Sequence, residues 1–281
     1  MCETLMKTVM FPDGEKTCAL GQGTWMMGER RDRRTAEIAA LRTGVELGMT
    51  LIDTAEMYGE GAAESLIAEA LGGVRDGLFL VSKAYPHNAS RLRLAAACEA
   101  SLKRLGTDRL DLYLLHWRGS VPLGETVEAM EALKTAGKIR HWGVSNLDTA
   151  DMEDLIAAGG RACVTDQILY NLSRRGPEHD LLPWLQNHAM PVMAYSPVEQ
   201  GRLVAEPALA ELAESIGATA TQVALAWTMH RDGVVPIPKA STVAHVCENR
   251  AAADLVLSGD LLALLDAAFP APRHRRPLEM L

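Results

Sequence analysis

Cysteine is sparse and unpaired in this sequence. Five residues, at 2, 18, 98, 163 and 247, are scattered over 281 positions with no C-x-x-C pair. Neither a disulfide framework nor a cysteine-rich zinc site fits that spacing. Cys98 and Cys247 fall in helical patterns, where small, inert, apolar side chains are expected. The eight histidines are equally dispersed, without H-E-x-x-H or H-x-H, so no metal centre is expected. Basic charge is also short: 28 Lys and Arg against 36 Asp and Glu leave a net charge of −8. Such a surface repels phosphate, which argues against nucleic-acid or anionic-membrane partners. No apolar run approaches the ~20 residues of a membrane helix. Met1–Phe11 lacks the apolar stretch and cleavage site of a signal peptide, so a cytoplasmic protein is expected.

What is present is the composition of a soluble globular protein, 48% hydrophobic and 23% charged. Short β-branched or leucine-rich runs recur at Cys18–Leu20, Thr50–Ile52, Leu78–Val81, Leu110–Leu115, Ile139–Val144, Cys163–Gln167, Val192–Tyr195 and Val234–Ile237. Several lack polar alternation, as strands buried on both faces should. Helical stripes lie between them: Ile38, Leu41 and Val45 in Thr35–Leu47, Leu94, Cys98 and Leu102 in Arg91–Leu105, and Val127, Met130 and Leu133 in Val121–Ala136. Strands each followed by a helix suit a (β/α)8 TIM barrel, and the lack of an early G-x-G-x-x-G disfavours a doubly wound sheet. Ahead of the barrel, Lys7–Phe11 and Glu15–Cys18 flank Pro12-Asp13-Gly14, a hairpin signal. Such a hairpin, at about 6–18, would plug the bottom of a barrel spanning about 18–237. Extra helices are expected at Val243–Ala253 and Gly259–Ala268, followed by a Pro- and Arg-rich tail. With no interdomain linker in view, residues 1–281 are read as one domain.

Barrel chemistry collects at the C-terminal ends of the strands. Asp53 closes the second strand, Lys83 the third and His116 the fourth, and Tyr58 follows Asp53 by five residues. A phenol near pKa ~10 is a poor acid at neutral pH. A neighbouring ammonium would lower that pKa, Asp53 would pair with Lys83, and His116 would orient a carbonyl. Any one of these residues alone could be a cap, a solvated strand end or a packed core histidine. Their joint placement at one mouth favours chemistry. No serine or cysteine nucleophile and no carboxylate pair accompanies them, so the set can move a proton but must obtain electrons elsewhere.

At Gly21-Gln22-Gly23-Thr24-Trp25, Ile52-Asp53-Thr54-Ala55-Glu56-Met57-Tyr58-Gly59, Val81-Ser82-Lys83, Asp111-Leu112-Tyr113-Leu114-Leu115-His116-Trp117, Gly143-Val144-Ser145-Asn146, Tyr195-Ser196-Pro197 and Ile237-Pro238-Lys239, the sequence resembles the aldo-keto reductase family. These stretches run in family order over roughly Met6 to Asp266, and they look most like small bacterial members of the methylglyoxal-reductase type. The resemblance implies an NAD(P)H-dependent carbonyl reductase, with Tyr58 as general acid, Asp53 and Lys83 tuning it and His116 orienting the substrate. It also implies a cofactor extended across the strand ends. Ser145, Asn146 and Gln167 would bind its carboxamide and Tyr195 would stack under its ring. Gly23, Thr24 and Trp25 would lie alongside. The Ser196–Leu203 loop, including Pro197, Val198, Gln200 and Leu203, would meet the pyrophosphate, and Lys239, Ser241, His245 and Asn249 the adenosine end.

One departure bears on cofactor choice. NADP-selective members commonly carry arginine six residues after the Ile-Pro-Lys lysine, where this chain has His245. A neutral imidazole lacks the fixed charge and donor fork of a guanidinium. NADPH is therefore expected as the preferred cofactor, with NADH usable as well. Trp25, Met57, Trp117 and either Tyr85 or His87 are expected to wall the substrate side beside Tyr58 and His116. Short loops suggest an open mouth for small aldehydes and 2-oxoaldehydes. Met26 and Met27 read as packing, and Arg273–Arg276 as a solvated, partly ordered tail. A monomer is expected. The rival functions are a cofactor-binding regulatory module with negligible turnover, and a phosphate-binding barrel forming a Schiff base on Lys83 or Lys239.

Overall fold

A computed structural model describes residues 6–12 and 14–281. Cys2 and Asp13, and with Asp13 the centre of the expected hairpin turn, lie outside the described residues. Strands β1 (Thr8–Met10) and β2 (Lys16–Cys18) pair antiparallel as expected. The chain then alternates β3 (Gln22–Gly23), α1 (Arg34–Glu46), β4 (Leu51–Asp53), α2 (Ala62–Leu71), β5 (Phe79–Ala84), α3 (Arg91–Leu105), β6 (Leu110–Leu115), α4 (Leu123–Thr135), β7 (Ile139–Ser145), α5 (Thr149–Ala157), β8 (Cys163–Leu169), α6 (Leu181–Asn187) and β9 (Val192–Tyr195). Two helices, α7 (Pro207–Ser215) and α8 (Ala220–His230), precede β10 (Val234–Pro236). Beyond it lie α9 (Val243–Ala251) and α10 (Gly259–Ala268).

Strands β3 to β10 form one eight-stranded parallel sheet in sequence order. The sheet curls shut where Gly21 N–H donates to Pro236 O and Gly23 N–H to Pro238 O, both at 3.0 Å, with a parallel bridge between Gly23 and Lys239. The architecture is a (β/α)8 barrel. Glycine is required at this seam, because a Cβ on Gly23 would stand 2.6 Å from Ile237 O.

Alternation along each strand separates two cores. Leu51, Val81, Leu112, Leu114, Met193 and Val235 face inward, while Ile52, Leu80, Tyr113 and Leu115 pack against the helices. Val9, Phe11 and Cys18 of the hairpin segment join the inner cluster, and Phe11 stacks on Phe79 at 5.2 Å. The hairpin therefore closes the bottom of the barrel. Continuing each inward row one step beyond the apolar layer reaches Asp53, Lys83 and His116 at the opposite end. The strand pattern that fills the core also aims the chemistry.

Two expectations are corrected. The first barrel strand is Gln22–Gly23, not Cys18–Leu20. This strand carries no apolar run; its place is fixed by the glycine seam, whereas Cys18 belongs to the hairpin. Cys247 is exposed on α9, so it is not a packing residue. Arg273–Arg276 are exposed, as read, in a tail that is partly ordered: Leu278 packs on the main core. No helix of the described residues is long and apolar enough to cross a membrane, and no cluster among them could hold a metal ion.

Candidate active site

A cavity of about 760 Å³ opens at the C-terminal end of the barrel. Its floor is built around Lys83, which is fully buried beneath it. Lys83 Nζ donates to Asp53 Oδ2 at 2.8 Å, to Thr54 O at 2.8 Å and to the Tyr58 hydroxyl at 3.1 Å. All three ammonium protons are thus engaged. Asp53 is held from its other side, where Gln167 Nε2 donates to Oδ1 at 2.8 Å. Asp53 does not cap α2, whose N-cap is Gly61 with no side-chain bond.

Tyr58 is delivered by a tight turn after β4. Its N–H donates to Ala55 O, and the next three residues, Gly59, Glu60 and Gly61, are all left-handed. Glycine at two of these positions makes the reversal tolerable. Glu56, not singled out in the sequence, accepts from Tyr85 N–H at 2.7 Å and from Asn88 Nδ2 at 2.9 Å. It thereby fixes the adjoining loop. His116 meets Tyr58 edge to face, with ring centroids 5.9 Å apart.

Electrostatics sort these groups. Burial lowers the Lys83 pKa, but the Asp53 carboxylate and Tyr58 outweigh it, so the ammonium is held above its usual range. Burial raises the Tyr58 pKa, and Lys83 only partly counters it. The expectation of a lowered phenol pKa is corrected on that ground: desolvation in the closed floor exceeds the pull of an ammonium already matched by Asp53. Tyr58 is therefore a neutral O–H at neutral pH. Burial, aided by Lys83, pushes His116 down to about 3, so its ring is neutral. His116 Nδ1 is buried with no hydrogen-bond partner among the described residues.

A hydrogen-bonded chain extends from this floor along the strand ends. Tyr195 O–H donates to Asn146 Oδ1 at 2.8 Å, Asn146 Nδ2 to Ser145 Oγ at 3.0 Å, and Ser145 O–H to Gln167 O at 2.7 Å. From Gln167 the chain reaches Asp53. Asn146 sits at φ 60°, a left-handed conformation that asparagine tolerates well, and Asn146 Nδ2 also donates to His116 O. Nothing in the residue spacing could disclose this chain, because its members come from four different strands.

Most expected site residues line the cavity: Gly23, Thr24, Trp25, Asp53, Met57, Tyr58, His116, Trp117, Ser145, Asn146, Gln167, Tyr195, Ser196, Pro197, Val198, Gln200 and Lys239. Leu203 does not; its side chain is buried in the main core. Ser241, His245 and Asn249 lie past Lys239 toward α9, outside the cavity lining. Ser241 Oγ is buried with no partner among the described residues, and Asn249 lines a small neighbouring cleft with Ala240 and Val246. Tyr85 and His87 stack on each other at 4.8 Å, and Tyr85 meets Trp117 at 6.0 Å. They support Trp117 without lining the cavity.

Sequence reading missed several lining residues. Met26 lines the mouth, so its assignment to packing is corrected, whereas Met27 is fully buried. Met280 and Leu281 line the cavity as well. The open mouth expected from short strand-end loops is thus partly walled by the tail. Glu199 is buried within the Ser196–Leu203 loop and was unforeseen, because a glutamate in a polar loop carries no local signal of burial.

The model of the Aldo/keto reductase family matches residues 19–269. The methylglyoxal reductase YeaE of Escherichia coli is 54% identical over 280 residues, covering 98% of this chain and 99% of that protein. A glyoxal reductase of Bacillus subtilis is 30% identical over 95% of this chain and 94% of its own length. An aldo/keto reductase of Klebsiella pneumoniae, solved in complex with NADP and acetate, superposes with a TM-score of 0.96 at 51% identity, covering 99% of this chain and 100% of that one. The chain belongs to the aldo/keto reductase family.

Proposed function

We propose that this protein reduces small aldehydes and 2-oxoaldehydes of the methylglyoxal kind to alcohols, using NADPH and, less well, NADH. The observation that carries the reading is the Tyr58 hydroxyl, 3.1 Å from a buried ammonium and beside a neutral imidazole. In this reading the substrate carbonyl oxygen lies between Tyr58 and His116. His116 orients it, and Tyr58 donates its proton as negative charge develops on that oxygen. Lys83 and Asp53 stabilise the resulting tyrosinate and hold Tyr58 in place.

A nicotinamide cofactor bound in the cleft supplies the hydride. The residues present suit such a group. Tyr195 offers a ring face, Gln167 and Asn146 offer amides, and the unpartnered Ser241 Oγ lies beyond Lys239 toward the distal end. Gly23, Thr24 and Trp25 form the near wall. Ser196, Pro197, Val198 and Gln200 form the far side, and the backbone of the loop ending at Leu203 contributes amides. Lys239, His245 and Asn249 serve the adenosine end. Trp25, Met57 and Trp117 wall the substrate.

A Schiff base on Lys83 fits poorly. Its protons are all engaged and its pKa is raised, whereas an amine nucleophile must be free and neutral. The same reading takes the hairpin, barrel and C-terminal helices as one domain of a cytoplasmic monomer, with no nucleic-acid or membrane partner. NADPH consumption with methylglyoxal, glyoxal, an aromatic aldehyde, an aldose and a simple ketone tests the reaction. Turnover ranked highest for the 2-oxoaldehydes supports it. Tight NADPH binding with no turnover on any of them contradicts it and favours a regulatory module.

A further inference from the structure

Behind Lys83 and Tyr58 lies a buried ion pair that does not line the cavity. Glu64, in the first turn of α2, is wholly buried. Its Oε1 accepts from the Ser82 hydroxyl at 2.7 Å, and its Oε2 from Arg104 Nε at 2.5 Å. Ser82 is buried and immediately precedes Lys83 on β5, so its side chain leaves the opposite face of the strand. Arg104, in the last turn of α3, is steadied at its far end, where Nη2 donates to the buried Ser101 Oγ at 3.1 Å.

The stem of Arg104 meets the Tyr58 turn. Three left-handed residues follow Tyr58: Gly59 at φ 58°, Glu60 at 52° and Gly61 at 89°. A Cβ on Gly61 would stand 2.4 Å from both Cδ and Nε of Arg104, so the arginine lies directly against the glycine backbone. Glu60 is not glycine, and such a residue keeps a left-handed conformation only where its surroundings over-determine it. The Arg104 stem, held by Glu64 and Ser101, is a fixed wall at the exit of that turn. One carboxylate thus refers two segments to a single point. It holds the strand of Lys83 through Ser82, and the turn of Tyr58 through Arg104 and Gly61.

A buried ion pair contributes little net stability compared with an apolar replacement of the same shape. What this one fixes is relative position. We infer that Glu64 and Arg104 are positioning residues that hold the Tyr58 hydroxyl at its 3.1 Å from Lys83 Nζ. The inference rests on the proposed role of Tyr58 as proton donor. Misplacing a reacting group by about 1 Å costs on the order of 10²-fold in rate, so the pair acts on kcat. Neither residue lines the cavity, so binding of NADPH and aldehyde is left alone.

Steady-state kinetics with NADPH and methylglyoxal, paired with hydrogen exchange of the turn, test this. Arg104→Met keeps an apolar stem and removes the guanidinium. Its kcat should fall about tenfold, with KM for methylglyoxal and NADPH affinity within about twofold of wild type. The Tyr58 and Glu60 amides, bonded to Ala55 O at 3.1 Å and Met57 O at 3.2 Å, should exchange about tenfold faster. Arg104→Lys, which keeps a cation for Glu64, should recover most of the loss. In the Tyr58→Phe background, Arg104→Met should change residual turnover by less than about twofold, because no hydroxyl remains to be placed. A general loosening of the barrel would instead lower turnover by the same factor in both backgrounds. Where the stranded Glu64 keeps Arg104→Met from folding, Glu64→Gln/Arg104→Met carries the same expectations without a buried charge. Unchanged kcat, unchanged exchange of the turn amides, or an equal fall in both backgrounds would overturn the inference. Full turnover in Tyr58→Phe alone would overturn the underlying reading, and is scored separately because that variant keeps Arg104.

Discussion

Lys83 Nζ lies 2.8 Å from Asp53 Oδ2 with the lysine side chain wholly out of solvent. An ion pair at such depth contributes little net stability, because desolvation offsets the attraction, but removing one partner strands the other charge. Lys83→Met should therefore destabilise the fold by about 3–5 kcal/mol. Urea unfolding measures this. The double variant Asp53→Asn/Lys83→Met should recover a large part of the loss, and a double variant as unstable as the sum of the singles would contradict the pairing.

Much of this site was legible in the sequence because it continues the strand pattern. Leu51 to Asp53, Val81 to Lys83 and Leu114 to His116 are each two residues apart, so an inward apolar residue forecasts an inward polar one. The two-residue strand Gln22–Gly23 escaped because its position depends on hydrogen bonds to Pro236 and Pro238, over two hundred residues away. The tail escaped for a related reason. Arg273–Arg276 are exposed, as read, but Met280 and Leu281 find an apolar cavity whose lining is scattered through the chain. The direction of the Tyr58 shift was missed because spacing reveals a neighbouring charge but not the extent of desolvation.

His116 links folding to pH. Its folded pKa, about 3, lies below the ordinary imidazole value of 6.5. Between these values the unfolded chain binds a proton that the folded chain does not, so stability is complete above about pH 6.5 and falls as the pH drops toward 3. The contribution to the slope is at most ~1.4 kcal/mol per pH unit. His116→Gln should flatten that part of the acid limb in urea titrations from pH 7 to 4. An unchanged slope would count against a buried neutral histidine.

His245 is exposed on the first turns of α9, with its N–H on the Thr242 hydroxyl at 3.3 Å. His245→Arg should add a fixed charge and a donor fork toward the 2′-phosphate. The ratio of kcat/KM for NADPH over NADH should rise roughly tenfold, equivalent to ~1.4 kcal/mol. An unaltered ratio would place His245 away from the phosphate.

The barrel bottom should affect stability without touching turnover. Phe11, 3% exposed, stacks on Phe79 beneath the inner core. Phe11→Ala should reduce unfolding free energy by about 3–5 kcal/mol. At a temperature where the variant remains folded, KM and kcat should match the wild type. A changed KM would mean that the hairpin communicates with the opposite face.

The most direct measurement is NADPH oxidation with methylglyoxal by wild type and Tyr58→Phe, paired with NADPH binding followed by fluorescence. Phenylalanine keeps the ring and removes only the proton donor held by Lys83. The predicted result is a fall in kcat of about 10²–10⁴-fold, with NADPH affinity nearly unchanged. Full turnover in Tyr58→Phe would contradict the assignment of Tyr58 as the acid, and with it the central claim about this site.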